Sequence, residues 1–207
     1  MTHILRIENL TKRYDDHLVF EGLNHSFEPG CVALCEEEST GKTSLLAIIA
    51  GAMAPSSGDV WIDGHSLKKA PREAKLRLAY IPDDCLQFPD MTGRALLERV
   101  AAEKNVAIDD NVIELASRFE LTEHLDKRFE QMSTGMRRKV YLTAAALGNP
   151  AVVIADGPSS GLDSASCAVL ADVFKTWGRD CVVLFASHDA KLVQECGATP
   201  LNISAPD

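Results

Sequence analysis

CVALCEEESTGKTSLLAIIAG, residues 31–51, is the stretch on which the fold turns. CVALC is a short apolar run of the kind that forms a strand buried on both faces. TSLLAIIAG (43–51) reads as a helix stopped at Gly51, a favoured helix-ending residue. Between them lies the tail of a phosphate-binding loop, GKT. Such a loop wraps phosphates with backbone N–H groups, and the positive end of the following helix points at them. In that geometry Lys42 reaches the terminal phosphates and the Thr43 hydroxyl binds magnesium. A lone GKT is weak evidence, and the flanking strand and helix strengthen it. The difficulty is Glu36-Glu37-Glu38, three anions at a site built to hold an anion.

The rest of the chain supplies an α/β context. HILRIENL (3–10) and residues 17–28 alternate apolar and polar, which predicts half-buried antiparallel strands. VWIDG (60–64), LRLAYIP (76–82), AVVIAD (151–156) and CVVLFAS (181–187) are further strands, with a last one near 199–203. Helices are expected over 164–177 and from Asp189. Between about 84 and 148 the period changes to helical, in RALLERVAAE (94–103), NVIELASRFE (111–120) and MRRKVYLTAAAL (136–147). Strands alternating with helices imply a mainly parallel sheet covered on both faces. The expected organisation is one domain over 1–207, with an α/β core from 1–83 and 149–207 and a helical lobe at 84–148.

Composition narrows the function. The chain has 207 residues, 46% of them hydrophobic, enough for one sizeable core. A net charge of −9 argues against a nucleic-acid partner. The run Arg137-Arg138-Lys139 is too short to overturn that and reads as a solvated helix face. No apolar window is long enough for a transmembrane helix. MTHILRIENLTKRYDD lacks a signal-peptide pattern, so a cytosolic location is expected. The six cysteines form no C-x-x-C pair and read as reduced, mostly buried thiols.

Four further features carry chemistry. VVIADGPSSGLD (152–163) ends a strand in Asp156, a carboxylate placed for the nucleotide's magnesium. His188 follows the strand 181–187 at the same sheet edge. MSTGMRRK (132–139) is a small polar turn opening a helix. Tyr14 is an aromatic 28 residues before Lys42. In this order and spacing, the chain resembles the nucleotide-binding subunit of ABC transporters along nearly its whole length. The resemblance rests on LLAIIAG followed by SGDVWIDG, on SSGLD (159–163) and on FASHD. It implies a P-loop NTPase (RecA-like) core with an antiparallel β subdomain and an inserted α-helical lobe. It also implies ATP and Mg2+ as cofactors, held by Ser39, Thr40, Gly41, Lys42, Thr43 and Ser44, with Tyr14 stacking on adenine and Thr43 and Asp156 on the metal. His188 would sense the terminal phosphate. Ser133 and Gly135 would face the nucleotide of a second subunit, in a homodimer or heterodimer. A transmembrane permease subunit would dock near residues 83–92, at the inner face of the membrane.

Several positions depart from the family. Its loop, G-x-x-G-x-G-K-[ST], here reads E-E-E-S-T-G-K-T, with Glu36 and Ser39 at glycine positions. A carboxylate about 6 Å from one phosphate charge is repelled by roughly 3 kcal/mol at an effective dielectric of about 20. Its catalytic glutamate is Gly157, its glutamine after the YIP strand is Asp83, and its LSGGQ is MSTGM. The scaffold positions look sound while functional positions have changed. The reading is a cassette that binds and hydrolyses ATP weakly or not at all. A working ATPase with an unusual loop and a non-transport interaction module stay open beside it. The glutamate triplet is a solvated turn, an internal plug pairing with Lys42, or a cation site.

Overall fold

The computed structural model describes residues 3–35 and 41–202. The glutamates at 36–38, with Ser39 and Thr40, lie outside the described residues.

Strand β1 (Leu5–Tyr14) pairs antiparallel with β2 (His17–Phe27) and, on its other side, with β4 (Ser57–Ile62). A two-residue strand β5 (His65–Ser66) completes this sheet in the order β2-β1-β4-β5. The second sheet is parallel throughout. Its strands are β3 (Gly30–Leu34), β6 (Leu78–Ile81), β7 (Val152–Asp156), β8 (Val182–Ala186) and β9 (Thr199–Leu201), in the order β6-β7-β8-β3-β9.

Period-two alternation explains why the central strands are apolar at every position. Val152, Ile154, Val182 and Leu184 face the core shared with α1 (Lys42–Ile49) and the antiparallel sheet. Val153, Ala155, Val183 and Phe185 face the opposite core. That second core is filled by α3 (Gly93–Lys104), α4 (Asp110–Arg118), α5 (Thr134–Ala145), α6 (Ser164–Trp177) and α7 (Ala190–Glu195). Side chains on both faces of a strand leave no position for a polar residue until the strand ends.

The expected elements form, with two additions outside the helical lobe, two short 3₁₀ turns within it (Thr122–His124 and Phe129–Gln131) and one correction. The additions are β5 and the short helix α2 (Pro71–Leu76), which starts on Pro71 and shortens the strand expected at 76–82. The correction concerns Arg137-Arg138-Lys139, which is not a solvated face. Arg138 is 1% exposed. Its Nη1 donates to the Asp156 carbonyl at 2.9 Å and its Nη2 to the Asp83 carbonyl at 2.8 Å. Arg137 donates from Nη1 to the Met132 carbonyl at 2.6 Å, and Lys139 lies 3.5 Å from the Asp163 carboxylate. Charge in a helix is usually solvated, but α5 runs between the other helices and the sheet, and its basic start meets carbonyls there.

All six cysteines are free thiols, with Cys31, Cys85, Cys181 and Cys196 buried. Removing the Arg138 guanidinium leaves two carbonyl acceptors to be satisfied elsewhere, at about 1–3 kcal/mol for each that stays orphaned. Arg138→Met is therefore expected to lower the urea midpoint clearly, while Arg99→Met, on the exposed face of α3, moves it little.

Candidate functional site

A parallel sheet delivers chain ends to one edge, and ligands of such sheets bind beyond the carboxyl ends of the strands. Here β3 leads to the segment preceding α1, β7 ends in Asp156, and β8 ends two residues before His188. These ends line one cleft of ≈ 690 Å³. Tyr14, Gly41, Lys42, Thr43, Ser44, Asp156 and His188 all line it, so seven of the residues expected from sequence come together. Ser39 and Thr40 lie outside the described residues.

Gly41 caps the start of α1 with φ of 88°, a left-handed conformation that suits glycine. Lys42 and Thr43 follow in the first turn, where the helix amides point at the cleft. Ser44 shares a hydrogen bond with the Tyr14 hydroxyl at 3.1 Å, which ties the β1–β2 hairpin to α1. Lys12 Nζ sits 4.5 Å from the centre of the Tyr14 ring. One face of that ring therefore already carries a cation.

Asp156 is 6% exposed, and its Oδ2 is buried without a hydrogen-bond partner. Burial raises its carboxyl above the ordinary range, the Thr43 hydroxyl lowers it by hydrogen bonding, and the nearby Asp83 carboxylate raises it again. The charges of Arg138 and Lys42 lower it further down the order. A buried, orphaned carboxylate oxygen beside a hydroxyl is a fitting pair of ligands for a hard, oxygen-seeking cation such as Mg2+. Burial also pushes the Tyr80 hydroxyl up to about 12, with the Asp156 and Asp83 charges adding to it.

Ser133 and Gly135 do not line this cleft. The Ser133 hydroxyl caps α5 by accepting from the Met136 N–H at 3.2 Å. Gly135 packs so closely that a Cβ there would meet the Gly161 carbonyl oxygen at 2.2 Å. The Thr134 hydroxyl accepts from Arg137 Nη2 at 3.1 Å. Asp163 caps α6, its Oδ1 accepting from the Ser166 N–H at 2.8 Å.

His17 and Val19 on the cleft wall are the residues that sequence reading missed, while Ser159, Ser160, Ser187 and Asp189, also on it, lie within SSGLD and FASHD without a role of their own. The hairpin residues carry no periodic signal for a site, because they reach it only through the β1–β2 turn. For Arg138 a faint signal existed: Leu142 and Ala145, spaced four and seven residues on, are buried with it along α5.

The family model described as ABC transporter matches residues 20–160, well over half of the chain. This chain belongs to the ABC transporter family. The Nod factor export ATP-binding protein I of Cupriavidus metallidurans is 29% identical over 167 residues, covering 79% of this chain and 55% of that protein. The ABC transporter ATP-binding protein NatA of Bacillus subtilis is 29% identical over 176 residues, covering 79% and 68%. The chain thus spans about half the length of the Nod factor protein it matches. Among solved structures, an ATP-binding subunit of an ABC transporter superposes with a TM-score of 0.85 at 24% identity, covering 98% of this chain and 88% of that one. A dimeric ATP-binding cassette bound to ADP and Pi gives 0.83 at 18% identity, covering 98% and 97%. These likenesses establish the fold as that of an ABC nucleotide-binding domain. Among the described residues, no helix is long and apolar enough to cross a membrane.

The burial of Asp156 has a measurable consequence. A carboxyl raised on folding weakens the folded state when ionised, and the penalty fades as pH falls through its raised value and is gone below the ordinary 3.8. Asp156→Asn is expected to raise the melting temperature of the nucleotide-free protein at pH 7. The gain should shrink toward pH 4. The same change should remove any Mg2+-dependent stabilisation by ATP, read by the same melting curves.

Proposed function

We propose that this chain is the cytoplasmic ATP-binding subunit of an ABC transporter, and that it holds Mg·ATP weakly and turns it over slowly or not at all. The observation that carries nucleotide binding is the buried, unpartnered Asp156 Oδ2 beside Thr43, opposite Lys42 at the start of α1. Lys42 would neutralise charge on the terminal phosphates. Thr43 and Asp156 would hold Mg2+, which when bound offsets phosphate charge. His188 would hydrogen-bond the terminal phosphate, and Tyr14 would stack on adenine with the ring face that Lys12 leaves open. Ser39, Thr40 and Ser44 would complete the phosphate cradle.

Slow turnover is supported by Gly157. The residue after the metal-binding aspartate has no side chain to accept a proton, and its φ of 55° is one that side-chain-bearing residues seldom adopt. Weak affinity is supported by the charge of the loop. A surviving repulsion of about 1.4 kcal/mol is a tenfold loss of binding, and Glu36, Glu37 and Glu38 supply three candidates for it.

In this reading 1–83 and 149–207 form the nucleotide core. The lobe at 84–148 presents Ser133 and Gly135 to a second subunit, identical or paralogous. The permease would dock along 83–92, where Leu86 and Phe88 are exposed and Arg99 stacks 5.0 Å from the Phe88 ring centre. No nucleic-acid partner is proposed.

The test is calorimetric titration with Mg·ATP, beside a Glu36→Gly/Glu37→Pro/Glu38→Asn/Ser39→Gly variant. The expected result is weak binding that tightens at least about tenfold in the variant. Micromolar affinity in the unmodified chain, unchanged by the substitutions, would remove the repulsion argument.

A further inference from the structure

We propose that Asp83 supplies the carboxylate that residue 157 lacks, and that the slow ATP hydrolysis of this chain runs through it. The inference rests on the nucleotide-binding reading above and extends it to a catalytic residue.

Space is the first argument. A Cβ built on Gly157 would lie 3.3 Å from Asp83 Oδ1 and 3.1 Å from Ser160 Oγ. The carboxylate of Asp83 therefore stands in tight contact with the point where a side chain at 157 would begin. It arrives from the end of β6 instead of the end of β7. The two strands are parallel neighbours, so their carboxyl ends lie side by side.

Elimination is the second. Three aspartates line the cleft among the described residues: Asp83, Asp156 and Asp189. Asp189 Oδ1 caps α7, accepting from the N–H groups of Lys191 and Leu192. Asp156 is buried against Thr43 and is the metal-binding candidate. Asp83 has a side chain 68% exposed, open to water within the cleft.

Positioning is the third. Arg138 donates to the Asp83 carbonyl from Nη2 and to the Asp156 carbonyl from Nη1, so one planar guanidinium fixes both backbones relative to each other. The same Nη2 lies 3.5 Å from Asp83 Oδ1. This cation offsets the repulsion that a second carboxylate near Asp156 and a triphosphate would otherwise feel.

The step balances with ATP and water alone. The water oxygen attacks the γ-phosphorus and forms a P–O bond. The bond from phosphorus to the β–γ bridging oxygen breaks, and its electron pair leaves with ADP. Asp83 accepts the water proton and returns it to solvent. A positioned general base contributes about 10²–10⁴-fold.

The experiment measures two quantities on the full chain, the Mg·ATP dissociation constant and the single-turnover rate of phosphate release at saturating Mg2+ and ATP. Asp83→Asn keeps the backbone carbonyl that Arg138 holds, so it should fold as the parent does. It is expected to slow phosphate release by about a hundredfold or more, the low side of the general-base range, with Mg·ATP bound no more weakly than by the parent. Gly157→Glu alone should help little, because two carboxylates would compete for one space. Asp83→Glu, which keeps a carboxylate there, should retain more of the rate than Asp83→Asn does, a dependence on the carboxylate that a merely structural Asp83 would not show. A parent rate unchanged by Asp83→Asn overturns the inference, as does bound ATP with no phosphate release from the parent. A loss of Mg2+ affinity with an unchanged saturated rate would place Asp83 on the metal and overturn it too. No binding by the parent would overturn the nucleotide reading itself, a separate and distinguishable failure.

Discussion

A guanidinium sealed between a helix and a sheet edge sets the geometry on which this molecule depends. Arg138 satisfies the carbonyl that closes β7 and the carbonyl just past the end of β6, in one rigid fork. A buried arginine is costly unless its donors are met, and two of them are met by backbone. The helix that carries it, α5, is consequently registered against the two strand ends that bring Asp83 and Asp156 to the cleft. The opening of α5, with Ser133 as its cap and Gly135 against Gly161, is set by the same docking. Core, helical lobe and cleft thus share one anchor.

The cleft itself is a balance of charge. Lys42, Arg138 and the amides opening α1 bring positive potential to its floor. Asp83, Asp156 and Asp189 bring negative charge to its walls. In a low-dielectric setting each of these terms is larger than it would be in water. The elevated carboxyl of Asp156 records the outcome, since burial and Asp83 together outweigh the hydrogen bond from Thr43 and the two nearby cations. In the function proposed above, such a balance favours a divalent cation over a bare triphosphate.

Much of this fold was legible in the sequence because its strands are of two plain kinds. The strands buried on both faces, such as VVIAD and VVLFA, read as unbroken apolar runs, and the half-exposed β1 and β2 read as alternation. What escaped was short or charged. A two-residue strand like β5 has no period to detect, and six residues of α2 show less than two turns. Arg137-Arg138-Lys139 was misleading for a physical reason. A basic run looks solvated whenever its partners are backbone carbonyls, because carbonyls leave no mark in a sequence.

The candidate site divides in the same way. Lys42, Thr43, Asp156 and His188 were recoverable from sequence alone, because each sits at a fixed offset from the end of a strand and parallel strands deliver their ends to one edge. The order of the motifs was enough to name the family's fold. Only the tertiary structure decided that Asp83 stands in the space beside Gly157. The two residues are 74 positions apart in the chain, and their approach follows from the pairing of β6 with β7 and from the arginine that holds both strand ends. Sequence spacing carries local geometry, whereas the meeting of two strand ends depends on which strands are neighbours, and that is settled by packing across the whole sheet.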